Sequence, residues 1–350
     1  MTDSSGSRPT ELFHAGLAAE ARRDPEAARA AFAALGELAE PAVDARVRAA
    51  ALRRLADLDE RAGEPARAET WLERAVDQLA PVDPPAASSA RHELAAHRLR
   101  HARSHQAGEL LLSDPLEHDA PLALLLGRCE LVRVLLSEHA SEDVAEHGAA
   151  ALPLARRALA LLEHPDPRLR ENASMLFILA WAADQEAMPA DELATAASTL
   201  LDALEGAGGG AGSVVPRSAF ADLRRLAQRL IARRRFEPAR KAWSLLRRAS
   251  RRELGSDHPS SLAAAIGLAR CLDGVGAGSR ARRILRGVVV RTTRAASESA
   301  TVRTDGSAAS EPDRLAAIRR SALVYLAASL ERSGSPVDRQ EAARLASGAG

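Results

Sequence analysis

Apolar positions along the chain recur at three- and four-residue spacings, the period of helices with one buried face. In the C-terminal half, Leu223, Leu226, Ala227 and Leu230 are followed after a short break by Phe236, Ala239, Trp243 and Leu246. Shifted by 42 residues, Ala265, Leu268, Ala269 and Leu272 are followed by Ala281, Leu285 and Val288. Each set predicts two amphipathic helices joined by a turn, with small residues where the pair must touch. Gly276 marks the turn of the second copy, and Arg234 holds the same place in the first. The pattern returns at Leu52, Leu55, Ala56, Gly63, Ala68, Leu72 and Ala75, and again at Leu12, Gly16, Ala28 and Phe32. It fits Leu176, Leu179, Ala180, Ala196, Leu200 and Ala203 once four residues are inserted in the turn. Leu323, Leu326, Ala327, Leu330 and Gly334 supply one more first helix, with a short closing helix around Ala342. Residues 88–162 read as helical but keep the pattern poorly.

Self-similarity at such a period is the signature of stacked helix hairpins, each burying its apolar face against its neighbours. The small residues at the helix contacts resemble those of the tetratricopeptide repeat. The 42-residue copies, with LGSDHPSSL between them, resemble the longer variant of kinesin light chains and of bacterial regulatory proteins that join such repeats to NTPase or kinase modules. The resemblance implies an all-α fold, an α-solenoid of antiparallel hairpins wound as a right-handed superhelix. It also implies that the first helix of each hairpin lines a concave groove. The groove positions would then be Arg224, Arg225 and Gln228, then Ile266, Gly267 and Arg270, then Val324, Tyr325 and Ala328. The asparagines with which many groove-binding relatives hold a peptide backbone are absent from these positions, so no known peptide specificity transfers.

Composition supports helices. Apolar residues make up 46% and aromatics only 3%, so Ala, Leu and Val do the packing. Net charge is +1, yet residues 1–206 carry −14 and residues 207–350 carry +15. The sign changes at GAGGGAGSVVP, 206–216, whose composition is that of a flexible linker. It follows a helical run and lacks Gly-Lys-Ser/Thr, so it is no phosphate loop. The expected organisation is a disordered start at 1–8, an acidic array at 9–205 that is degenerate over 88–162, the linker at 206–216, and a basic array at 217–350 with a disordered loop at 297–313. The polar N-terminus and the lack of long apolar runs lead us to expect a cytoplasmic protein that contacts no membrane.

Three clusters could carry chemistry. Ser256, Asp257 and His258 are consecutive and cannot converge as a catalytic triad does. Gly255 suits a helix stop, and Pro259 suits the first position of the next helix with His258 as its cap. His164, between Glu163 and Pro165, reads as another helix boundary. Glu93, His97, His101 and His105 are spaced by four and share one helical face. Arg98 and Arg100 lie where a zinc hydrolase would need its glutamate, so a solvated face and no metal are expected. Cys129 and Cys271 show no ligand or disulfide spacing and are expected to be small buried residues.

No cofactor and no catalytic constellation are expected. The function expected is a non-enzymatic interaction scaffold that holds a peptide or protein segment, acidic in character, on its concave surface through Arg224, Arg225, Gln228, Arg270 and Tyr325. The competing reading is a nucleic-acid-binding regulator, because residues 224–252 hold twelve Arg/Lys against one Glu. Scarce aromatics and the lack of a helix-turn-helix signature count against it.

Overall fold

The computed structural model describes residues 7–38, 44–114, 120–138, 148–206, 215–300 and 311–348. Among them are seventeen α-helices and no strand. The chain forms two compact units, Met1–Ala158 and Leu159–Gly350. The first contains α1 (Ser7–Ala21), α2 (Pro25–Glu37), α3 (Ala45–Arg61), α4 (Pro65–Leu79), α5 (Pro84–Arg100), α6 (Ser104–Ser113), α7 (Leu122–Glu138) and most of α8 (Gly148–Ala160). The second contains α9 (Pro167–Arg170), α10 (Ala173–Asp184), α11 (Ala190–Gly206), α12 (Phe220–Ala232), α13 (Phe236–Leu254), α14 (Pro259–Gly274), α15 (Gly278–Ala300), α16 (Glu311–Arg332) and α17 (Pro336–Gly348). The boundary between units falls at 158/159, whereas the charge changes sign at 206–216, of which 207–214 lie outside the described residues. No described helix is long and apolar enough to cross a membrane.

One turn chemistry repeats through both units. Arg23, Gly63, Ala102, Glu186, Arg234, Gly276 and Gly334 all have positive φ, between 52° and 84°. At six of these turns the next N–H donates to the carbonyl five residues back, as Glu64 does to Asp59 and Ala277 to Leu272. This satisfies carbonyls that the helix end leaves unpaired and folds the chain into an antiparallel pair. Arg234 and Gly276 are 42 residues apart, which places both copies of the C-terminal repeat in register.

Small residues bring the helices together as the pattern requires. Leu52, Leu55, Ala56, Ala68, Leu72 and Ala75 are buried, and so are Ala239 and Ala281. The buried Phe32 ring lies over Gly16, where any side chain would collide with it. Three expectations need correction. Residues 84–113, which overlap the start of the 88–162 stretch read as degenerate, form the regular hairpin α5/α6 around Ala102, whose turn carries no glycine to betray it. In α11 the buried face is Leu193, Ala197, Leu200, Leu201 and Leu204, with Ala196 and Ala203 only half-buried. Of the loop expected at 297–313, residues 297–300 belong to α15 and 311–313 to α16, while 301–310 lie outside the described residues.

Buried polar groups add ties that periodicity could not show. The carboxylate of Asp59 on α3 is fully buried and accepts from Arg29 Nε of α2 and Trp71 Nε1 of α4, each at 2.9 Å. Asp114, at the end of α6, is held by Ser88 and Arg91 of α5 and by Arg128 of α7. Removing one partner from such a group strands a buried charge, so these ties fix which helices pair.

Candidate functional site

The SDHP connection, residues 256–259, is structural. Gly255 ends α13 at φ 92°, ψ 164°, a conformation open only to glycine. Extended His258 caps α14, its Nδ1 accepting from Ser260 N–H at 3.1 Å, and Pro259 takes the first helical position. Asp166 likewise caps α9, while His164 Nδ1 accepts from the Asp166 N–H. Burial pushes the thiols of Cys129 and Cys271 up to about 12, so both stay neutral packing groups.

The basic run is largely occupied by local partners. Arg225 and Arg229 meet Asp184, Arg235 meets Asp191, Lys241 meets Asp202 and Arg248 meets Glu205. Arg233 donates to the carbonyls of Met188 and Ala183. These contacts join α12 and α13 to α10 and α11, so the acidic and basic sequences meet within one unit. Arg247 is different: burial, then the guanidiniums of Arg251, Arg291 and Arg280, lower its pKa.

A cavity of about 550 Å³ opens in the second unit at the C-terminal ends of α12, α14 and α16. Ile231, Ala269, Leu285, Val324 and Ala328 form apolar walls, while Phe236 and Tyr325 supply aromatic ones. Arg234, Arg270 and Arg332 stand among them. The guanidinium carbon of Arg270 lies 4.6 Å from the Tyr325 ring centroid, a stacked cation–π contact. Asp273 accepts from Ser329 Oγ at 2.8 Å and is paired with Arg332. Arg332 is thereby neutralised, whereas Arg270 has no carboxylate partner among the described residues. Three helix ends bring partial negative charge to this mouth, so an acidic ligand here must rely on arginine side chains.

The structure brings together Arg270 and Tyr325, with Val324 and Ala328 beside them. Arg224, Arg225 and Gln228 do not line the cavity; they are exposed on α12, one to two turns before Ile231 and Ala232 on the same face. Ile266 and Gly267 are buried, and Gly267 is covered by the Trp243 indole of α13. Sequence reasoning missed Arg234, Phe236, Asp273 and Arg332. Their common signal is position at the turn end of a hairpin, where successive repeats converge.

The face that carries Glu93, His97, His101 and His105 is solvated only at its end, where His101 and His105 are exposed. His97 is 2% exposed, Glu93 pairs with Arg53 of α3, and His105 lies near Glu109. His97 and His101 both turn toward Glu60, near the end of α3.

No protein-family model matches the chain, and no curated protein matches it. Among solved structures, a circular tandem repeat protein with novel repeat topology shows 14% identity over 97% of this chain and 88% of its own, with a TM-score of 0.31. A kinesin light chain protein of Podospora anserina with nearly identical TPR-like repeats shows 19% identity, 72% and 98% coverage and a TM-score of 0.29. Residues 1–338 of Acl4, an assembly chaperone of RpL4, show 17% identity, 93% and 99% coverage and a TM-score of 0.28. At these scores the similarities carry no weight of their own. The chain's own structure shows serial antiparallel helix hairpins, with left-handed turns and small residues at the helix contacts.

Proposed function

We propose that the chain is a non-enzymatic interaction scaffold whose second unit holds a peptide or protein segment in the cavity between α12, α14 and α16. The observation that carries this reading is Arg270, fixed over Tyr325 beside an apolar wall and committed to no carboxylate among the described residues. An apolar pocket with a few oriented polar groups is the usual form of a binding site. The chemistry selects a segment that places an aliphatic or aromatic side chain against Ile231, Val324 and Ala328 and a carboxylate against Arg270 and Arg234. Beyond the cavity the segment runs along the exposed α12 face past Gln228, Arg224 and Arg225.

The test is fluorescence anisotropy on the full chain with acidic peptides that carry one Leu or Phe anchor, against amide versions in which Glu is replaced by Gln. Arg270→Glu is expected to weaken the acidic peptide by about tenfold or more and to leave the amide peptide nearly unaffected. Equal binding of both peptides by the parent and the variant would refute the acidic specificity.

A second reading, nucleic-acid binding, is favoured by one observation, the crowding of Arg247 by Arg251, Arg280 and Arg291. A gel shift on DNA and RNA with a steep salt slope would support it, and no shift at low salt would remove it.

A further inference from the structure

We propose that Glu60, His97 and His101 form a binding site for a divalent transition-metal cation of the zinc class. Their donor atoms lie within 4.8 Å of one another. His97 Nδ1 stands 2.8 Å from Glu60 Oε2, and His101 Nε2 stands 3.0 Å from Glu60 Oε1. The two imidazole centroids are 4.6 Å apart. In a tetrahedral zinc site, with metal–ligand bonds of about 2.0–2.1 Å, donor atoms stand roughly 3.4 Å apart. The three groups therefore reach that arrangement through small side-chain rotations, without movement of the backbone.

Two features of the surroundings point to a cation. Glu60 Oε2 is buried and accepts no hydrogen bond among the described residues, although His97 Nδ1 is 2.8 Å away. An aligned N–H is thus not what holds that contact, and a shared cation would satisfy both atoms. The second feature is helix polarity. Glu60 lies in the last turn of α3 and His97 in the last turn of α5, while His101 is the residue that caps α5. Two helix C-termini therefore direct partial negative charge at the site. Among the described residues, the arginine paired with Glu60 is Arg100, whose Nε lies 3.4 Å from Glu60 Oε1; its side chain is 58% exposed and can swing into solvent. Arg98, by contrast, is engaged by Glu69 and Glu73.

Neutral imidazole and carboxylate are the donor set of zinc, and copper or nickel would bind through the same atoms. Three protein ligands leave the fourth position to water on the side of the exposed His101. A bound ion would join α3 to α5, the first helices of consecutive hairpins, and so act as a staple within the first unit.

The experiment uses the full chain without an affinity tag, stripped with chelator and titrated with Zn²⁺ by calorimetry. Co²⁺ provides an optical readout of tetrahedral geometry in parallel. One equivalent of Zn²⁺ is expected to bind and to raise the melting temperature. His101→Gln and Glu60→Gln, at sites outside the fully buried core, are expected to weaken binding by at least about tenfold and to abolish the melting shift. His105→Gln is expected to bind as the parent does. Absence of saturable binding by the parent would overturn the proposal, as would equal binding by His101→Gln or a loss of equal size in His105→Gln.

Discussion

An alanine at position 267 tests the register of the C-terminal repeat more sharply than any deletion. Its Cβ would lie 2.3 Å from Cδ2 and Cε2 of Trp243 and 2.7 Å from Cε3. Cδ2 and Cε2 form the fused bond at the middle of the indole, so no flexible tip can yield. The ring must retreat by roughly 1 Å to recover ordinary van der Waals contact. Trp243 is only 4% exposed, and its retreat displaces neighbours in a packed core. Overpacking of this kind costs about 1–3 kcal/mol. Replacing glycine by alanine inside a helix returns about 0.8–1 kcal/mol. The severe overlap puts the packing cost toward the upper end, leaving Gly267→Ala less stable by about 1–2 kcal/mol. For a unit of this size that corresponds to a melting point lower by roughly 2–8 °C. Gly287→Ala on α15 is the matched control, because the nearest atom to its new Cβ is the Arg291 Nη2 at 3.9 Å. There only the propensity gain remains, about 0.5–1 kcal/mol of added stability. Urea denaturation followed by circular dichroism measures both. Opposite signs are expected, and a Gly267→Ala protein as stable as its parent would refute the packing of α13 against α14.

The left-handed turns make two complementary predictions. Ala102, at φ 57°, sits where a side chain is strained, so Ala102→Gly should stabilise the first unit by about 0.5–1 kcal/mol. Gly276→Ala, at φ 84°, should cost about 1 kcal/mol, and unchanged urea midpoints for either variant would contradict the shared turn geometry. His92 gives a pH prediction: burial first, and then the Arg128 guanidinium, depress its pKa from 6.5 to about 4. The unfolded chain then takes up a proton that the folded chain refuses, so this contribution is full above pH 6.5 and is lost as pH falls toward about 4. The loss is on the order of 1–3 kcal/mol, and a His92→Gln protein should lack that step in its stability–pH profile.

Periodicity alone determined the all-α class, most of the hairpins and the meaning of the Ser256-Asp257-His258 connection. These are local properties: apolar spacing sets the buried face, and glycine and proline mark where a helix can stop or start. Where the local signal was weak, the reading failed in a physically consistent way. The α5/α6 turn uses Ala102 in place of glycine, and the α11 register shifted because alanines at 196 and 197 read alike. Charge was misleading for a different reason. The −14 and +15 sequences look like separate halves, yet Asp184, Asp191, Asp202 and Glu205 neutralise arginines and the lysine of the basic run inside one unit. The candidate site was legible only in part, since Arg270 and Tyr325 lie 55 residues apart and their stacking depends on how α14 and α16 pack. The histidine cluster shows the division most plainly. Spacing by four put His97 and His101 on one helical face, a property any helix enforces. The third group, Glu60, lies on another helix 37 residues earlier in the chain, and only the packing of consecutive hairpins buries His97 and brings Glu60 to the two imidazoles.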